Sequence, residues 1–241
     1  MSSGSGREQL RSALLGRSWD LFERAIHDAV QDPDGDGLLA EASTRLTGDR
    51  LTFVAAALGE VRGPDGAGAL RGLLALSGPG TEQTRCAALL ALAKREGANA
   101  SAELATALKS RNAAVRDYAV LGLAAFGDDR AWDDILAHLT RRLRVPHRRV
   151  GEPPEVAVAV IYLLTNVGGR PEGVHALVNL LRGSWDNLTV QEHAWLTGNW
   201  PQALPGGPPA SQVAPPNGHA LRQQFAAGPL FTALSGPRRY Y

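Results

Sequence analysis

The chain has 241 residues, 44% of them hydrophobic and only 6% aromatic, with 25 basic and 24 acidic side chains for a net charge of +1. That apolar fraction excludes a disordered chain, and the near balance of charge argues against a protein that grips a polyanion over a wide surface. A single cysteine, Cys86, excludes an intrachain disulfide and a thiolate metal cluster.

In chain order, residues 1–8 read as an irregular N-terminus rich in Gly and Ser, with neither the charge pattern nor the apolar core of a signal peptide. A helix is expected from Gln9 to Gln31, broken near Gly16, and a second from Leu38 to Leu46. Helix pairs then follow. Arg50–Val61 pairs with Ala67–Leu76, Glu82–Arg95 with Ala102–Lys109, Ala114–Phe126 with Ala131–Leu143, and Glu155–Val167 with Gly173–Leu181. A last helix is expected over Thr189–Trp200. Ala and Leu dominate these segments and favour close-packed helices, whereas apolar residues alternating at period two are absent, so no sheet is expected. From Pro201 the composition changes: the Pro/Gly-rich stretch lacks N–H donors and resists regular helix. Residues 201–241 read as an extended tail whose closing segment, with Leu221, Phe225, Leu230, Phe231 and Leu234, either caps the last pair with a short helix or serves as a tethered peptide for a partner, the cap being the favoured reading. No run of about 18 apolar residues marks a membrane span, so a cytoplasmic protein with no membrane association is expected.

The pairs repeat. A shift of 31 superimposes Arg116 on Arg85, Ala119 on Ala88 and Leu123 on Leu92; a shift of 41 superimposes Gly127 on Gly168 and Leu139 on Leu180. Periods in this range, built from helix pairs, are the mark of an array in which each module buries its neighbour's apolar face. The expected fold is all-α: a right-handed α-solenoid of stacked antiparallel helix pairs over residues 9–200.

In such an array the second helices line one face. The shift of 41 pairs Asp134 with His175, His138 with Asn179, and Arg141 with Arg182. Each trio sits on one side of its helix and forms a polar ladder suited to a protein partner, an ordinary solvated helix face being the competing reading. The segment RRLRVPHRR is the densest run of charge. Its Arg141, Arg142, Arg144, Arg148 and Arg149 are candidates for contact with an acidic partner or with phosphates, or else form a solvated basic loop. Without an interleaved aromatic it does not suggest base stacking, so nucleic acid is the less favoured partner. Asp32, Asp34 and Asp36, in the run DPDGDG, match the first half of a calcium loop. Ser43 stands where the bidentate glutamate belongs, and the run also makes a good turn and helix start. No other cofactor site and no catalytic motif is legible.

Val115-Arg116, Tyr118-Ala119-Val120, Leu123-Ala124 and Phe126-Gly127-Asp128 resemble the HEAT-like repeats, and Thr84-Arg85 with Ala87-Ala88-Leu89 matches the same opening. The resemblance covers residues 50–188, although Val156-Ala157 lacks the arginine and Gly168-Gly169-Arg170 lacks the aspartate. It implies an α-solenoid that serves as a protein-binding scaffold and carries no common chemistry. Trp132 beside Asp133 and Asp134 resembles the groove residues of alkylpurine DNA glycosylases built on related arrays, which implies nucleic-acid binding as the alternative.

Overall fold

A computed structural model describes residues 3–146, 154–168 and 170–232. Those residues are helical, with no strand among them. The helices are α1 (Ser3–Leu15), α2 (Trp19–Gln31), α3 (Gly35–Ser43), α4 (Gly48–Leu58), α5 (Gly66–Leu74), α6 (Glu82–Glu96), α7 (Ser101–Ala107), α8 (Ala113–Phe126), α9 (Trp132–Arg142), α10 (Glu155–Thr165), α11 (Pro171–Gly183), α12 (Val190–Asn199), α13 (Gly218–Ala226) and α14 (Pro229–Thr232).

Local chemistry sets the boundaries. Ser18 and Asn112 accept hydrogen bonds from Leu21 N and Val115 N, closing the free N–H groups at the starts of α2 and α8. Thr189 and Glu192 form a reciprocal capping box at α12. Pro171 opens α11, where its missing N–H has no cost. Helix starts at the N-terminal end of the chain differ from expectation: α1 begins at Ser3, inside the stretch expected to be irregular, and α3 begins at Gly35.

The longer run of neighbours is sequential. α4 packs on α6, α6 on α8, α8 on α10, and α10 on α12, while α5, α7 and α9 pack beside α6, α8 and α10. Small residues permit the close approaches. A side chain at Gly59 would meet Ala91, and one at Gly122 would meet Ala93 and Leu104. Across α4 and α6 the buried hydroxyls of Thr52 and Thr84 share a hydrogen bond of 2.9 Å. One hydrophobic core runs from Leu14 to Val213, with Phe22, Leu58, Leu92, Leu123, Tyr162, Leu177 and Trp200 among its members. Every residue from Val156 to Thr165 in α10 is buried, in keeping with a segment that has no polar face.

The tail departs most from expectation. Pro201–Ala203 and Ala210–Gln212 form short 3-10 turns against α11 and α12, with Ala203 and Val213 buried. The chain then turns back, and α13 lies on α10, the first helix of the last expected pair, and on α8 of the pair before it. Residues 233–241, including Leu234 of the expected cap, lie outside the described residues. No helix is long and apolar enough to cross a membrane among the described residues.

Candidate functional site

The candidate surface is built on α9 and α11. α9 carries Asp133 and Asp134 in its first turn and Arg141 and Arg142 in its last, each sign placed where the helix dipole favours it. Ile135 and Leu139 turn into the core, leaving Asp134 and His138 half-buried and Arg141 exposed. α11 buries Val174, Leu177, Val178 and Leu181 and leaves His175 half-buried and Asn179 exposed. The two helices meet at their N-terminal ends. Gly173 lies against the Trp132 ring with no room for a Cβ, and the Arg170 guanidinium sits 5.4 Å over that ring.

His138 is the electrostatic centre. Burial first, then the Arg141 and Arg116 guanidiniums, push its pKa down to about 4, against an opposing pull from Glu155. The imidazole is therefore neutral at physiological pH. Arg116 reaches this area from α8, donating to Ser110 O at 2.8 Å and Arg111 O at 3.1 Å. Those acceptors are uncharged, so the arginine's positive charge is not neutralised by them. Arg141 and Arg144 are exposed, and neither pairs with a carboxylate among the described residues. Lys109 and Arg111 are exposed nearby in sequence.

Two members of the expected surface face inward instead. Arg142 donates from Nε to Glu155 at 2.7 Å and lies 3.7 Å from Glu192, whose carboxylate is buried. Glu192 in turn accepts from Thr189 N at 2.8 Å and Val156 N at 3.3 Å, so one carboxylate serves the starts of both α12 and α10. Arg182 donates to the carbonyls of Gln202, Ala203 and Leu204 and fastens the first turn of the tail. Both are structural clamps. Arg148 and Arg149 lie outside the described residues.

The aspartates of DPDGDG do not converge on a cation, and no group of three potential metal ligands occurs among the described residues. Asp32 accepts from Asp34 N at 2.8 Å in a local turn, and Asp34 precedes α3 at 3.6 Å from Arg7. Asp36 is buried against Arg95 at 2.8 Å and accepts from Asp65 N and Gly66 N at the start of α5. Burial alone would raise its pKa, but the hydrogen bonds from Arg95, Gly66 and Asp65 outweigh that and hold the carboxyl below its ordinary range. Arg95 also donates to Leu58 O and Val61 O at 3.1 Å each and to Gly63 O. The pair thus clamps the α4–α5 turn from both sides.

Trp132 is likewise taken out of play as a groove residue. It is buried, donating from Nε1 to Leu163 O at 3.2 Å. Burial raises the Cys86 thiol to about 12, which makes it a core residue rather than a nucleophile. Sequence reasoning passed over the contribution of Arg116 to the surface, although the repeat alignment had singled that arginine out.

Compared with known proteins, the chain matches no family model, no curated protein and no solved structure.

Proposed function

We propose that this chain is a non-enzymatic protein-interaction scaffold whose helix pairs stack as a right-handed, HEAT-like α-solenoid, and that it binds an acidic segment of a partner along α9 and α11. The sequential packing of α4, α6, α8, α10 and α12 supports the stacking, and the contact of Gly173 with Trp132 supports the side-by-side placement of α9 and α11. The observation that carries the binding site is local charge. Arg116, Arg141 and Arg144 lack carboxylate partners among the described residues, the first two acting on a neutral His138, on a chain whose total charge is only +1. Asp134, His175 and Asn179 supply polar groups along the same two helices, and complementary charge of this kind fixes register and speeds encounter.

The test is capture from a host lysate on the immobilised full chain, compared with the Arg141→Glu/Arg144→Glu variant. Proteins held by the wild type should be lost by the variant, with the melting temperature unchanged. An identical captured set would remove these arginines from the site. Retention on duplex DNA that falls steeply with salt would replace the protein partner with a nucleic acid.

A further inference from the structure

The strongest unassigned feature lies away from α9, where the tail crosses the C-terminal ends of α8 and α10. The face of α13 that meets them is Gly218, Leu221, Arg222 and Phe225, spaced as one helical stripe, while His219, Ala220, Gln223 and Gln224 are exposed. Arg222 reaches the end of α8, where carbonyls have no partner within their own helix. It donates to Ala124 O at 2.9 Å, Gly127 O at 2.8 Å and Leu123 O at 3.4 Å. Thr165 donates to Gly218 O at 2.9 Å. Phe231 stands edge-on to Phe126 at 5.3 Å and to Phe225 at 5.4 Å.

These contacts are specific. Within α13 only Gly218 is fully buried, and among the described residues beyond it only Phe231 is; Leu221 and Phe225 are half-buried against the core, so the segment is held by its arginine cap, an aromatic cluster and a partly buried apolar stripe. The chain just before it is pinned: Ala214 accepts from Trp200 Nε1 at 3.0 Å, and its N–H donates to Gln202 at 3.1 Å. Pro215 and Pro216 follow, with no N–H to bond and a fixed φ, and lead into the Asn217 cap. Freedom to swing is therefore confined to the junction between Ala214 and Gly218.

We propose that α13 and α14 form a releasable strap over a peptide-binding groove. The groove consists of the carbonyl end of α8, the end of α10 and Phe126, and it fits a helix-turn segment of a partner protein bearing one arginine and two aromatic residues placed as Arg222 and Phe225 on α13 and Phe231 on α14 are. The negative end of the α8 dipole selects the cation, and Phe126 selects the ring. The tether keeps the strap's effective concentration high, so the groove rests closed until a competing helix arrives. This proposal is independent of the basic surface on α9.

The experiment uses the full chain, wild type and two strap variants, Arg222→Ala and Gly218→Ala. The second acts by geometry, since a Cβ at position 218 would overlap the Leu164 carbonyl. The probe is a labelled synthetic peptide of residues 218–232, followed by fluorescence anisotropy, with hydrogen exchange on the same proteins. In the wild type, α13 amides should exchange about 100-fold faster than those of α8 and α10, as expected for a segment that opens by itself. The peptide should bind both variants at least about tenfold more tightly than wild type, because the tethered competitor is weakened. A peptide carrying Arg222→Ala should not bind. Exchange of α13 together with α8 as one unit, or loss of helix in both variants, would show that the strap is permanent core and overturn the proposal. So would absence of peptide binding to variants that remain folded. Light scattering adds the last arm: dimers of the variant chains would place the segment in a second copy and overturn the partner reading.

Discussion

Arginine decides much of this molecule at the scale of single residues. Arg50 caps Gly16 and Arg17, Arg95 caps Leu58, Val61 and Gly63, and Arg116 caps Ser110 and Arg111. Arg182 and Arg222 do the same for residues 202–204 and for the end of α8. A planar group with five donors suits helix ends, where several carbonyls converge without intrahelical partners. The same chemistry makes Arg141 and Arg144 conspicuous, because nothing described engages their guanidiniums. His138, which feels the Arg141 and Arg116 charges, offers a pH readout. Its folded pKa lies near 4, below the ordinary 6.5, so between those values the unfolded chain binds more protons and stability falls as pH falls. We expect His138→Gln to match the wild type near pH 7 and to lose less stability than the wild type near pH 4.5 in thermal melts. Parallel pH curves for the two proteins would contradict the burial of a neutral imidazole.

At the scale of elements, the helices from α4 to α12 were legible because glycines, capping residues and apolar stripes agree at most of their boundaries. Glu82, Phe126 and Glu155 stand at helix termini where the stripes placed them. What the pattern cannot carry is contact between distant elements. Asp36 looked like a calcium ligand because its neighbours are aspartates, yet its partner Arg95 lies 59 positions away. Arg142 looked like part of a basic loop, and its carboxylates come from the starts of α10 and α12. The α4–α5 turn should therefore fail when its clamp is halved. Asp36→Ala removes the carboxylate paired with the buried Arg95, leaving that charge only the carbonyls of the turn and Glu96 at 3.9 Å, and should cost roughly 3–5 kcal/mol in urea unfolding. A loss below about 1 kcal/mol, the range of exposed pairs, would mean that water reaches this site.

Across the whole molecule, the tail was the least legible part. Its composition excludes a long helix but says nothing about direction, and the return to α8 and α10 depends on Arg222 meeting carbonyls about a hundred residues earlier. That return covers α10, whose sequence, apolar on every side, demanded a neighbour that the helix pairs alone did not supply. Which side chains of the proposed surface face outward was only partly legible. Asp134, His138, Arg141, Arg144, His175 and Asn179 remain on it, whereas Arg142 and Arg182 hold the fold. This division of the arginines is what the binding proposal rests on. The most direct measurement is a set of thermal melts of single glutamine substitutions. Losing a charge-assisted clamp costs about 1–3 kcal/mol, and each kcal/mol lowers the melting temperature of a chain this size by about 2–4 °C. Arg95→Gln, Arg142→Gln and Arg182→Gln should each melt several degrees below the wild type, with Arg141→Gln and Arg144→Gln indistinguishable from it. Equal destabilisation by Arg141→Gln, Arg144→Gln and Arg142→Gln would contradict the division and leave no free cationic surface for a partner.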